Sequence, residues 1–159
     1  MTLKYSQIIA AVDGSEPAAI AFKKAVDIAV RNHATLNLVS IVDNRSFGSI
    51  EAYGQAFAKG AKIAAEGLLT TYKEVATEAG VPEVNTIVEY GSPKTMIPVE
   101  LVKRLNADLI ICGATGLNSA ERILMGSVSE RIVRSARCDV LIVRTDLNMD
   151  EIPAEKPVE

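Results

Sequence analysis

Short apolar runs alternate along the chain with segments whose apolar residues recur every three or four positions, and turn residues separate them. Tyr5 to Val12 is mostly apolar and ends in Asp13-Gly14-Ser15, which predicts a strand and a turn. Ser15-Glu16-Pro17 opens a helix: Ser15 is a cap residue, and Pro17 suits the first turn, where its missing N–H is not needed. Ala18, Ala21, Phe22, Ala25 and Ala29 form an apolar stripe, with Lys23, Lys24, Asp27 and Arg31 off it. Leu36 to Val42 predicts the second strand. Residues 44–58 lack a clear period, hold two glycines and three aromatics, and predict a long loop. From there Ala61, Ala65, Leu68, Tyr72, Val75 and Ala79 predict a long helix, stopped by Gly80 and Pro82.

Val84 to Tyr90 predicts strand three, and Gly91-Ser92-Pro93 a turn and the start of a helix reaching about Asn106. Pro98 removes one hydrogen bond of that helix, which predicts a kink or a late true start. Leu109 to Cys112 and Val140 to Val143 are wholly apolar, as expected of strands buried on both faces of a parallel sheet. Between them, Ser127-Val128-Ser129-Glu130 predicts a capping box opening the last helix. The order is β-α-β-α-β-α-β-α-β, an α/β fold of one open, mostly parallel five-stranded sheet with helices on both faces. Ligands in such sheets bind beyond the carboxyl ends of the strands, where strand order reverses. That rule singles out the turns after strands one, two and four.

Composition narrows the picture. The chain has 159 residues, enough for one ordinary domain, and 48% are hydrophobic, enough for a core. The net charge of −3, with seven Phe and Tyr and no Trp, disfavours nucleic acid as a partner. Two cysteines and one histidine are too few for a Cys/His zinc site. The start lacks an apolar signal core, and no apolar run approaches the ~18 residues of a membrane helix, so a cytoplasmic protein without a membrane partner is expected. Residues 145–159 are acidic, carry two prolines and predict a loosely held tail beyond a binding domain of residues 1–144.

Gly113-x2-Gly116-x9-Gly126-Ser127 lies between a strand end and a helix start. Glycines permit close approach of backbone N–H groups, and the start of a helix presents unpaired N–H groups and a positive dipole end, a combination suited to phosphate. The hydroxyls of Ser127 and Ser129 add donors there, and Arg122 adds charge. The same residues also fit turns and a cap alone. No Gly-Lys-Ser/Thr follows, so this is not a Walker loop. Ala11 and Asp13 end strand one at the expected site, where Asp13 either accepts from a ribose or base or makes an Asx turn with Gly14. Ile41 ends strand two, where its backbone can meet the edge of a base. Arg131, Arg134 and Arg137 recur at helical spacing and read as a solvated face. His33, near the end of the first helix, has no assigned role.

These residues together resemble the universal stress protein family, in its ATP-binding branch. The resemblance rests on Ile-Ile-Ala-Ala-Val-Asp13-Gly-Ser, Leu-Val-Ser-Ile41-Val-Asp, Ala-Asp-Leu-Ile-Ile-Cys-Gly113-Ala-Thr-Gly116, Leu-Met-Gly126-Ser127-Val-Ser-Glu and Cys-Asp-Val-Leu-Ile-Val, in that order over about residues 4–144. It implies strand order 3-2-1-4-5 and an adenine-nucleotide site. In that site Asp13 meets ribose or base, the Ile41 backbone meets adenine, and Gly113, Gly116, Gly126, Ser127 and Val128 surround ribose and phosphates. Thr115 stands where members often carry a longer basic or imidazole side chain. The resemblance also implies a homodimer through Val140–Val143. Three functions follow in order: a regulatory ATP-binding protein, a slow ATPase using nucleotide-borne Mg²⁺, and a phospho-acceptor domain using Asp13 or Asp43. No P-loop lysine or evident base stands near the glycine loop, so any turnover is expected to be slow.

Overall fold

The structure, a computed structural model, describes residues 4–43, 51–115 and 125–144, with only the backbone of residues 51–53. The elements are β1 (Gln7–Ala11), α1 (Glu16–Asn32), β2 (Thr35–Val42), α2 (Glu51–Glu78) and β3 (Glu83–Tyr90). Then come α3 (Pro93–Thr95), a π turn (Met96–Leu101), α4 (Val102–Leu105), β4 (Leu109–Gly113), α5 (Ser127–Ser135) and β5 (Asp139–Val143). Every ladder is parallel, and the strand order is β3-β2-β1-β4-β5. The chain builds outward from β1 through β2 to β3, then crosses back over β1 to β4. The switch point therefore lies between β1 and β4.

Alternation along the strands sorts side chains to two faces. Ile8, Leu36, Leu38, Leu109 and Ile111 pack with Ala21, Phe22 and Ala25 of α1 and Leu69 and Ala76 of α2. The stacked rings of Phe22 and Tyr72, 4.3 Å apart, join those two helices. Ile9, Val39, Ile110 and Cys112 face the other way, against Ile97, Leu101 and Ile132. On that face one polar side chain is fully buried. Asn37 donates to Gln7 Oε1 and to the Ile8 carbonyl, and accepts from Asn85 Nδ2, so its burial leaves no amide group unmatched.

The first helix starts as its residues predict. Ser15 Oγ accepts from the Ala18 N–H at 3.2 Å, and Pro17 lies in the first turn. His33 ends the helix in the left-handed region, φ 55°, and is exposed.

Four expectations are corrected. The long loop is shorter than residues 44–58, because α2 already runs from Glu51; residues 44–50 lie outside the described residues. The expected stripe of α2 holds in part, with Leu68 and Tyr72 packed on the core, but the buried face drifts from it toward the end of the helix. Ala58, Leu69 and Ala76 are buried, whereas Val75 is 49% exposed. Pro98 makes neither a simple kink nor a late start. It sits fully buried within a π turn, whose wider spacing tolerates a residue without an N–H. Finally, β4 is buried throughout, but β5 is only half-buried at Val140, Leu141 and Ile142. The tail at 145–159 lies outside the described residues.

Candidate functional site

A cavity of about 460 Å³ opens beyond the carboxyl ends of β1, β2 and β4. Strand β1 and the turn after it supply Ala11, Val12 and Asp13; β2 and its end supply Val39, Ile41 and Asp43. Cys112, Gly113 and Thr115 come from β4 and its end, and Gly126, Ser127, Val128, Ser129 and Ile132 from the start of α5. Ala18 of α1, Pro93 of α3 and Ile97 of the π turn complete the lining. The expected residues Ala11, Asp13, Ile41, Gly113, Thr115, Gly126, Ser127, Val128 and Ser129 are thus brought to one cavity. Gly116 and Arg122 lie outside the described residues.

Hydrogen bonds assign different tasks to these residues than sequence reasoning did. Gly126, not Ser127, caps α5, and it makes no side-chain cap bond, so the expected capping box does not form. The Gly126 N–H donates to the Ala114 carbonyl at 2.7 Å, and the Gly126 carbonyl accepts from the Glu130 N–H at 3.0 Å. Among the described residues the N–H groups of Ser127, Val128 and Ser129 are then left without a backbone acceptor, as the geometry of a helix start requires. Among the described residues the exposed Ser127 hydroxyl has no partner either. Ser129 differs: its buried hydroxyl donates to the Gly113 carbonyl at 2.7 Å and ties α5 to the end of β4.

Gly113 and Gly126 do not serve through left-handed backbone. Gly126 has φ −68° and ψ 161°, an extended geometry open to any residue. At Gly113 the need is space, because a Cβ would stand 3.0 Å from the backbone of Pro17 at the start of α1.

Asp13 makes the Asx turn. One carboxylate oxygen accepts from the Ser15 N–H at 2.9 Å and from Ser15 Oγ at 2.6 Å, which holds the cap of α1 in place. The side chain is exposed on the cavity wall.

The end of β2 offers an open backbone edge. The Val12 N–H donates to the Val39 carbonyl at 2.8 Å, and the Gly91 N–H donates to the Val42 carbonyl at 3.0 Å. Peptide groups alternate sides along a strand, so Val39 and Ile41 point toward β1 and Val42 toward β3. The β1 ladder ends at the Ala11–Val39 pair. The Ile41 N–H and C=O therefore project where β1 has already turned away.

Val39, Ile97, Cys112 and Ile132 were not anticipated. They form the apolar wall, and a sequence does not distinguish them from other core residues. Burial pushes the Cys112 thiol up to about 11, with a smaller upward push from the Asp13 charge, against a hydrogen bond with Ser129. It stays protonated at neutral pH and adds to that wall. Both cysteines are free. Among the described residues no cluster of His, Cys, Asp and Glu could hold a metal ion, and no helix is long and apolar enough to cross a membrane.

Comparison with known proteins follows the same geometry. The chain matches the universal stress protein family over residues 4–144. It is 52% identical over 153 residues to a Staphylococcus haemolyticus protein that carries the universal stress protein name, covering 96% of this chain and 90% of that one. The solved structure of universal stress protein UspA from Lactobacillus plantarum superposes with a TM-score of 0.84 at 29% identity, covering 90% of this chain and 100% of the other. A universal stress protein solved in complex with cAMP gives a TM-score of 0.68 at 25% identity, covering 90% of this chain and 99% of that one. With the family matched from the first strand to the last and the same five-stranded order in its fold, this chain belongs to the universal stress protein family.

Proposed function

We propose that the chain is a cytoplasmic, regulatory stress-response protein that binds ATP in the cavity at the switch point, through the domain of residues 1–144. One juxtaposition carries the reading. The open edge of Ile41 and the N–H groups at the start of α5, without an acceptor among the described residues, border the same cavity, with an apolar wall between them. A backbone N–H and C=O side by side match the donor and acceptor edge of adenine. The start of α5 suits phosphate, and the Asp13 carboxylate on the wall suits ribose hydroxyls. The cAMP complex of a structural neighbour supports an adenine nucleotide as the ligand class.

The lining favours holding a nucleotide over cleaving it. Its carboxylates are Asp13, already accepting two bonds from Ser15, and Asp43, and it contains no lysine, arginine or histidine among the described residues. Such a set binds a ground state and offers little that acts more strongly on a transition state. Mg²⁺ would arrive with the nucleotide. Two copies pair through β5, the edge of the sheet.

Native mass spectrometry of freshly purified protein tests the ligand, since a copurified ATP shows by mass. Calorimetry then compares ATP with GTP. Preference for ATP is expected, and equal affinities would defeat the adenine assignment. Phosphate release with Mg²⁺ is expected to stay near background; several turnovers per second, lost on removing Asp13, would make the protein an enzyme.

A further inference from the structure

Helix α2 carries an apolar seam on the side away from the core. Ala56, Gly60, Ile63 and Gly67 recur at helical spacing, lie opposite Ala58, Leu69 and Ala76, and are all exposed. A surface helix normally turns charged residues that way, yet this line holds none from Ala56 to Gly67. Ile63 is 59% exposed. The two glycines have no use within the chain. A Cβ at Gly60 or Gly67 would meet nothing within 4 Å, and glycine weakens a helix relative to alanine. We propose that this seam docks on the same seam of a second copy of the chain, α2 against α2 and antiparallel, with Ile63 of each copy seated over Gly60 of the other.

Self-complementarity selects the occupant. About a two-fold axis, Ile63 over the second copy's Gly60 also sets Gly60 under the second copy's Ile63 and Ala56 across from the second copy's Gly67. The missing side chain of Gly60 leaves the space that the isoleucine fills, so the two backbones come close. Charge agrees with that register. Lys59 and Glu66 stand on one flank of the seam, about two turns apart, and neither has an ion-pair partner among the described residues. Antiparallel pairing brings Lys59 beside the second copy's Glu66, and Glu66 beside the second copy's Lys59. It also opposes the two helix dipoles. A parallel pair would set that flank against the other one, where Ala64 and Thr71 offer no charge.

The contact is separate from the sheet edge at β5. Helix α2 packs over β2 and β3, at the far side of the sheet, so one contact leaves the other open. The seam is about three turns long, less than a permanent interface buries, so it joins copies at higher concentrations than β5 does.

The experiment mixes equal amounts of unlabelled and heavy-nitrogen-labelled full-length protein, joins carboxylates to amines with a zero-length carbodiimide, and reads the products by mass spectrometry. A Lys59–Glu66 link between a light and a heavy chain is expected. Sedimentation equilibrium at low ionic strength, up to millimolar protein, then follows the association step. Lys59→Glu and Glu66→Lys are each expected to weaken it about tenfold, because the axis repeats each reversal twice. The double variant Lys59→Glu/Glu66→Lys should restore it. Gly60→Leu should weaken it as much while melting at or above the wild-type temperature, since leucine is the better helix former but fills the seat of Ile63. A role confined to the fold would move melting and association together. The proposal is overturned if no light–heavy Lys59–Glu66 link forms, if the double variant stays as weak as the single ones, or if Gly60→Leu associates as well as the wild type.

Discussion

A methyl group added at Gly113 would stand 3.0 Å from the Pro17 carbonyl carbon and oxygen, so alanine there must push the start of α1 away from β4. Gly113→Ala is expected to cost about 1–3 kcal/mol, read as a lower urea midpoint. Gly126 is the opposite case. Its extended backbone accepts valine without strain, but the branched side chain would crowd the N–H groups at the start of α5. Gly126→Val should melt near the wild type and bind ATP at least about tenfold more weakly, the scale of one hydrogen bond to a charged group. A drop in stability with normal binding in the folded fraction would reverse the two roles. Asp13 combines both duties. Asp13→Ala removes the acceptor that positions Ser15 and should destabilise by about 1 kcal/mol, whereas Asp13→Asn keeps that acceptor and the stability. Thermal melts of the two variants separate the cap from the charge. The sequence places a residue at a strand end and so brings these positions to the right cavity. It does not show that the Ala114 carbonyl accepts from the Gly126 N–H or that the Gly113 carbonyl accepts from the Ser129 hydroxyl, because those partners meet only after the sheet and α5 have docked.

Helix α2 shows where periodicity loses its power. Its alanines mark a stripe weakly, since a small side chain fits a buried or an exposed position equally well. Two stripes therefore suited the chain, one through Leu68 and Val75 and one through Leu69 and Ala76. Packing against β2 and β3 buries the second completely, keeps Leu68 of the first half-buried against the core and leaves Val75 exposed. Leu69→Ala is expected to cost about 2–5 kcal/mol, as for a fully buried leucine, while Val75→Ala stays within about 0.5 kcal/mol. Denaturant unfolding of the two variants decides between the faces, and equal losses would contradict the one through Leu69 and Ala76. The first turns of α2 were hidden for a related reason, because Gly54 and the aromatic residues obscure the period that begins at Glu51. Pro98 was legible as a disturbance, since its missing N–H follows from its chemistry. Its resolution as a π turn was not, because the choice between kinking and widening depends on what the wider turn buries. Here that is Met96, Ile97, Pro98 and Leu101, and Ile97 reaches the cavity wall.

At the scale of the whole molecule, alternation of strand and helix limits the topology to very few arrangements, and the family resemblance selects the order β3-β2-β1-β4-β5, which the structure has. What alternation does not show is how completely the sheet edge is covered. β5 was expected to be buried on both faces like β4, yet Val140, Leu141 and Ile142 remain half-exposed at the edge. An apolar edge strand without proline is prone to pair with another chain, because its outer N–H and C=O groups have no partner within the sheet. The simplest closed solution is a two-fold axis beside β5, which sets the strand antiparallel to its own copy and consumes both edges at once. The half-exposed side chains above and below the strand would then be covered by their symmetry mates. Leu141 packs with the α1 and α2 side and Ile142 with the α5 side, so a lysine at either position tests one layer of the contact. Sedimentation at micromolar concentration should show a dimer for the wild type and a shift toward monomer for Leu141→Lys and for Ile142→Lys. Arg137→Gln, beyond α5, should leave the dimer unchanged. Because a substitution on β5 also touches the core, each variant needs its melting curve: a folded monomer supports pairing through β5, and a wild type that sediments as a monomer rejects it.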